Sequence, residues 1–183
     1  MPVKGNGNAR NKTPHASEVR RLILVRAIPL LALLLYSNCS YAEQSPSGVV
    51  AEYCRHDTEG YRLSSESYEK IAALMSNDED LVEPGWDCFK AIRKYEIVRE
   101  SITNEQALVT VNYSLLSEYC VGGSIKKEDS IDTFQFRLRN ENGHWKILNY
   151  PPFPRLRANK AVEYVKKIDG SELSATFQDS VSE

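Results

Sequence analysis

Histidine, cysteine and long apolar runs are scarce in this sequence, and each scarcity excludes a class of protein. Three histidines and four cysteines occur among the 183 residues. No two cysteines stand at the short spacing of a zinc-ligand pair, so neither a metal site nor a cofactor is predicted. A mechanism that depends on histidine has few candidates, because His15 lies in the N-terminal leader and His144 lies beside a turn.

The first 42 residues have the pattern of a secretory signal peptide. Six basic residues and one acid precede an uncharged apolar run of ten residues, 27–36. Small residues then flank a cleavage site at Ala42-Glu43, so we expect cleavage there and export to the periplasm or the exterior. A membrane anchor would need roughly 20 apolar residues. Acylation of Cys39, as in a lipoprotein, is the other alternative.

Cleavage would leave an acidic chain of single-domain length. The leader holds six of the 23 basic and one of the 25 acidic residues, which leaves 17 basic against 24 acidic residues, a net charge of −7. A nucleic-acid partner needs clustered Lys and Arg, so none is predicted. We expect one domain over residues 43–169 without a membrane span, and a polar, disordered tail over residues 170–183.

Helical periodicity comes first in this domain. Four apolar residues between positions 49 and 54 recur at helical spacing, which predicts a short helix with Ser47 as its N-cap and an end near Asp57. A second helix is predicted over residues 66–75. The helices therefore precede the strands.

Alternating apolar residues then predict a long antiparallel hairpin. Odd-numbered apolar residues recur over 89–99 and 107–115, which is typical of strands with one buried face. A three-residue turn at 103–105 would place Tyr95 beside Tyr113. A slip of one residue would turn one apolar row outward, so the register is strongly specified.

The same register bears on the cysteines. It sets Cys88 opposite Cys120, which allows a cross-strand disulfide if the two Cβ atoms approach to about 3.8 Å. Three cysteines remain after cleavage, and Cys54 pairing with either of the others is an alternative. A further alternative is that all three are small buried apolar side chains.

A second hairpin and a short helix follow. Asn142-Gly143 is a strong two-residue turn signal, and the flanking apolar rows pair Leu138 with Ile147. Prolines within 151–154 end the last strand, because proline cannot donate to a ladder. Apolar residues over 161–168 predict a short C-terminal helix.

This order of elements resembles the NTF2-like, or cystatin-like, superfamily. The resemblance rests on the Gly-x-Trp-x-Ile pattern at 143–147, the long hairpin over 95–116 and the Trp86-Asp87 entry to its first strand. It implies an α+β fold in which N-terminal helices pack on a curved, mainly four-stranded antiparallel sheet to form a cone. Two features depart from the family: the first helix is short, and a C-terminal segment follows the sheet.

A cone of this kind would place several polar side chains in one pocket. The resemblance implies that catalysis of the ketosteroid-isomerase kind would need a carboxylate base and a tyrosine or protonated acid inside the cone. Here Arg93 is the only charged residue on the inward row of the first strand between 89 and 97, and it would need a partner if buried. The candidate pocket residues are Tyr53, His56, Asp57, Tyr95 and Tyr113.

Each candidate also has a simpler explanation. His56 and Asp57 are consecutive on a helix, so they do not by themselves form an oriented pair, and a helix end explains them. The tyrosines either fill the core or line a pocket for an aromatic ligand. No catalytic residue is assigned.

The sequence therefore favours a non-catalytic exported module that binds a protein or a small apolar or aromatic ligand through a cone pocket or a sheet face. The first alternative is a small isomerase, dehydratase or hydrolase, which requires Asp57 or Asp87 to reach the pocket. The second is an accessory or inhibitory subunit of a cell-envelope machine. A homodimer is left open.

Overall fold

Three α-helices and six strands make up the part of the chain that the structure describes. The structure is a computed structural model, and it describes residues 44–76 and 86–182. The predicted signal peptide lies outside them. The helices are α1 (Pro46–Thr58), α2 (Ser65–Ala72) and α3 (Ala158–Val181), and a 3-10 turn, Tyr61–Leu63, joins the first two. The strands are β1 (Cys88–Thr103), β2 (Gln106–Cys120), β3 (Ser124–Lys127), β4 (Ile131–Glu141), β5 (His144–Ile147) and β6 (Arg155–Arg157).

The fold is α+β, as the sequence predicts, but its sheet is larger than expected. The strand order is β5-β4-β2-β1-β6 with β3 also on β2, and the sheet curls strongly, like a half-barrel. The expectation of a mainly four-stranded antiparallel sheet is wrong, because β6 pairs with β1 in parallel. β3 and β6 have four and three residues, too few to show an alternating pattern.

The β1–β2 hairpin has the predicted central register and a different turn. Thr103 pairs with Gln106, so the turn has two residues rather than three, and Asn104 takes a left-handed φ of 55°. A bulge between Ile97 and Arg99 then shifts the pairing by one residue. Tyr95 consequently does pair with Tyr113, as predicted.

Two other predicted pairings are confirmed. Cys88 and Cys120 face each other on β1 and β2 and form a disulfide, with their Sγ atoms 2.07 Å apart. Leu138 pairs with Ile147 across the β4–β5 hairpin, where Gly143 has a φ of 87° that favours glycine.

Helices cover both faces of the sheet, whereas the sequence placed them on one. Ala91 and Ile92 are consecutive on β1, so their side chains point to opposite faces. Ile92 belongs to a core that includes residues of α1, and Ala91 to a second core that includes residues of α3. Bulges on both sides of Ile92 interrupt the period of two that the sequence analysis assumed.

The second core corrects the prediction of a disordered tail. α3 continues to Val181, with Gly170 (φ 88°) as the one residue of non-helical backbone inside it. Beyond Gly170, Phe177 and Val181 are buried against Phe89 and Tyr119 of the hairpin. The helical period of residues 170–183 is hard to recognise in the sequence because few of these residues are apolar. The helix is stabilised there by packing on the sheet.

Within the described ranges, no helix is long and apolar enough to cross a membrane.

Candidate functional site

The five predicted pocket residues lie on α1 or on the strands that share the first core with it, and most of them are buried there rather than open to a pocket. Tyr53, Asp57 and Tyr113 are fully buried. Tyr95 is half buried, and its hydroxyl donates to the carbonyl oxygen of Ala51 at 3.4 Å. The tyrosines therefore act mainly as core, which was one of the two readings that the sequence allowed.

Local sequence explains how α1 presents these side chains. Ser45, not Ser47, is the N-cap, and its hydroxyl accepts a hydrogen bond from the backbone N–H of Gly48 at 3.1 Å. Ser47 instead donates through its backbone N–H to Glu100 of β1 at 2.7 Å. With α1 held in this way, positions 53 and 57, one turn apart, face the sheet.

Asp57, Arg62 and Arg155 form what we call the buried charge cluster. Asp57 is 1% exposed and Arg62 2% exposed. One carboxylate oxygen of Asp57 accepts from the backbone N–H of Arg155 at 3.2 Å and lies 3.8 Å from a terminal guanidinium nitrogen of Arg62. The cluster joins the end of α1 to the 3-10 turn and to β6.

Aromatic rings hold both arginines of the cluster. The guanidinium carbon of Arg62 lies 4.5 Å from the ring centre of Trp86 and 4.9 Å from that of Tyr150. The guanidinium carbon of Arg155 lies 4.4 Å from the ring centre of Tyr113. Cation–π contacts of this kind replace part of the hydration that a buried cation loses.

The electrostatics of the cluster are set by burial. Burial raises the pKa of Asp57 to about 6, although Arg62 and Arg155 act in the opposite direction. Burial likewise raises the pKa of Cys54 to about 12, so this side chain is a neutral thiol, 3.2 Å from the Tyr113 hydroxyl. Cys54 therefore lacks the lowered pKa of a reactive cysteine.

Several buried polar atoms in this region have no hydrogen-bond partner among the described residues. They include the Tyr53 hydroxyl, the second carboxylate oxygen of Asp57, both terminal nitrogens of Arg62 and the Nε of Arg155. A buried polar group without a partner costs about 1–3 kcal/mol. The cluster is therefore sensitive to the loss of any remaining contact.

His56 and Asp57 are not brought together. The His56 ring stacks on Tyr61 with ring centres 4.6 Å apart, and its Nε2 lies 3.1 Å from a guanidinium nitrogen of Arg55. Burial and the Arg55 charge lower the pKa of His56. Asp57 faces the arginines of the cluster instead, and the carboxylate beside His56 is that of Glu52, whose Oε1 lies 3.6 Å from the His56 Nε2.

None of the predicted pocket residues lines any of three surface cavities in the described part of the chain. One of about 220 Å³ lies between Gly60 and α3. One of about 250 Å³ lies near the β1–β2 turn. One of about 190 Å³ lies between the start of α1 and β5. Asp87, the other carboxylate considered for catalysis, is exposed.

Arg93 differs from its predicted position. It was expected on the buried row of β1, but the β1–β2 register passes from Ile92 to Lys94 at a bulge that skips Arg93, and Arg93 is exposed. A bulged residue is turned away from the regular alternation of a strand. The buried arginines come from positions 62 and 155, which the sequence analysis did not single out.

A feature that the sequence analysis missed is the outer edge of β1. β6 pairs only with Lys90, Ala91 and Ile92, and no other strand of the described residues pairs with β1 on that side. We call residues 93–103 the β1 edge. All of them are exposed except Tyr95 and Ile97, which are half buried.

The β1 edge and the adjoining turn carry exposed apolar side chains. Val98 is 46% exposed and Ile102 51% exposed, and Leu108 on the neighbouring strand is 40% exposed. The sequence held one sign of this surface, because Val98 is an apolar residue at an even position next to a row of apolar residues at odd positions. Only the bulge explains why this side chain is exposed at the edge.

Comparison with known proteins supplies no relative: no family model, no curated protein and no solved structure matches the chain. Within residues 44–76 and 86–182, no three His, Cys, Asp or Glu side chains are grouped to hold a metal ion.

Proposed function

We propose that this chain is a non-catalytic exported module that binds another protein through the β1 edge. The observation that carries the proposal is a long strand edge with exposed apolar side chains and backbone groups that no described strand pairs. Such an edge is a template for an added strand.

The burial of the predicted pocket residues favours the sheet edge over a cone pocket as the binding surface. Tyr53 and Tyr113, which would line a cone pocket, are fully buried in the first core. An aromatic ligand would have to displace them. A partner strand at residues 94–103 of the β1 edge would displace no strand of the described residues.

Export is the second part of the proposal. Disulfides persist in oxidising compartments and are rare in the cytosol, and Cys88 and Cys120 are paired. The sequence pattern of residues 1–42 supplies the route, as a cleaved signal peptide.

We further propose that the fold is a variant of the NTF2-like superfamily. The support is that α1 packs on one face of a strongly curled sheet and that the Gly-x-Trp-x-Ile pattern lies on β5 and its turn. The parallel strand β6 and the helix α3 on the opposite face would be additions to that fold.

Photo-crosslinking tests the binding site. The chain is expressed with its leader in its native host. A benzophenone side chain is placed at Val98 or at Ile102, and at Lys166 on the exposed side of α3 as a control. We expect one discrete protein adduct from Val98 and Ile102 and none from Lys166. Equal labelling from all three positions, or no adduct from the β1 edge, would contradict the proposal.

A further inference from the structure

The β1 edge is self-complementary in charge. Glu96 and Arg99 are both exposed, and no described side chain forms an ion pair or hydrogen bond with either. Glu96 pairs with Asn112 of β2 and Arg99 with Thr110, two residues apart, so both side chains lie on the same face of the sheet. The bulge at Val98 is the reason that residues three apart share a face.

A twofold arrangement of two such edges would use both charges. If two β1 edges run antiparallel about an axis between Ile97 and Val98, Glu96 of each copy lies opposite Arg99 of the other. Two oppositely charged cross-strand pairs result, and such pairs stabilise a sheet. The exposed Val98 side chains meet near the axis, where their apolar surface is covered.

Other registers lose one of these features. An axis at Val98 would set Ile97, on the face of the first core, opposite Arg99, on the other face. An axis at Arg99 would place two like charges opposite each other, which is destabilising. Of these three registers, only the axis between Ile97 and Val98 sets opposite charges of the same face across from each other.

We propose that the partner of the β1 edge is the β1 edge of a second copy of this chain, in a twofold dimer with a continuous sheet. This rests on the proposed function and names the partner at the same surface. An interface between identical patches related by a twofold axis is the commonest form of homo-oligomer.

Charge reversal tests the dimer. The chain is recovered from the periplasm after expression with its leader, and its molar mass is measured by light scattering over a concentration series up to about 100 μM, which detects a dimer with a Kd of about that value or below. Glu96→Arg or Arg99→Glu alone creates two repulsive pairs, so we expect the dimer Kd to rise about tenfold or more. The double variant Glu96→Arg/Arg99→Glu restores opposite charges and is expected to recover the dimer.

Two controls keep the test decisive. Arg137→Glu makes the same charge change at an exposed position of β4 away from the edge, and it should leave the dimer intact. Circular dichroism checks that each variant is folded, and Glu96→Gln, which removes the attraction without adding repulsion, provides a milder second variant with a smaller rise in Kd.

The outcomes separate the two proposals. A monomer at every concentration, or a double variant that stays monomeric while folded, overturns the dimer. If the benzophenone at Val98 then yields an adduct with a different protein, the proposed binding function stands and only the identity of the partner is wrong. If the chain is monomeric and the β1 edge forms no adduct, both proposals fail.

Discussion

At the scale of single residues, burial has a larger effect than ion pairing on the pKa of Asp57 in the buried charge cluster. Asp57 has two arginines beside it, yet its pKa is raised to about 6 rather than lowered. Desolvation of a carboxylate in the core exceeds the attraction of charges at these distances. The cluster therefore costs stability when Asp57 is ionised, and it gives the protein a titratable group near neutral pH.

The first prediction concerns the pH dependence of stability. The pKa of Asp57 is about 6 in the folded protein, above the usual value near 3.9. The folded chain therefore binds a proton at Asp57 more tightly than the unfolded chain does. The stability from this group is fully present below pH about 4 and is lost as pH rises through about 6. The free energy of unfolding of the unaltered chain should fall between pH 4 and 7 relative to Asp57→Asn, measured by urea denaturation. A pH-independent difference between the two proteins would refute this assignment.

The second prediction concerns Arg62. Replacing it with Met leaves Asp57 buried without that partner and removes the guanidinium between Trp86 and Tyr150. We expect a loss of about 3–5 kcal/mol in the free energy of unfolding at neutral pH. Asp57→Asn/Arg62→Met should cost less than the sum of the single changes, because the two side chains contact each other. Additive losses would show that Arg62 acts by packing on the rings alone.

At the scale of elements, the disulfide joins the two ends of the β1–β2 hairpin that lie farthest from its turn. The third prediction is a thiol count on the exported chain unfolded in denaturant. One cysteine, Cys54, should be alkylated before reduction and three afterwards, as read by mass spectrometry. Replacing Cys88 and Cys120 together by Ala should lower the free energy of unfolding by about 2–4 kcal/mol. Three alkylated cysteines before reduction would exclude the bridge.

The fourth prediction concerns the end of α3. Phe177 is fully buried and packs edge-on against the rings of Phe89 and Tyr119. Phe177→Ala should therefore cost about 3–5 kcal/mol. Thr176→Ala, the exposed neighbour, should change stability by less than about 0.5 kcal/mol. Equal and small effects at both positions would mean that the segment beyond Gly170 does not pack on the sheet.

At the scale of the whole molecule, the two cores share the same strands. Ile92 and Leu115 belong to the first core, and Ala91 and Leu116, their neighbours on β1 and β2, to the second. Unfolding one core would expose the strands that support the other. The cores should therefore not be independently stable.

The fifth prediction follows from this sharing. The chain over residues 44–182 should unfold in one cooperative transition, because a small domain with coupled cores has no stable half-folded state. Tryptophan fluorescence, which senses Trp86 and Trp145 near the first core, should coincide with far-ultraviolet circular dichroism, which includes α3. Two separated midpoints would show that α3 and its core melt by themselves.

Part of the fold and little of the candidate site could be predicted from the sequence. Cys88 and Cys120 could be paired because alternation and a nearby turn determine a hairpin register. Asp57 was recognised as a candidate, but its partners Arg62 and Arg155 are 93 positions apart in the chain. No local pattern joins such residues.

The sequence by itself determined the α+β class, the two hairpins and the first helices, since periodicity and turn residues act over a few positions. The tertiary structure alone decided which face each strand end presents, because a bulge depends on packing and reverses the alternation beyond it. It likewise decided that residues 171–181 are helical. β6 has three residues and pairs with β1 only at Lys90, Ala91 and Ile92. The β1 edge exists because no described strand continues this pairing along the rest of the 16-residue strand.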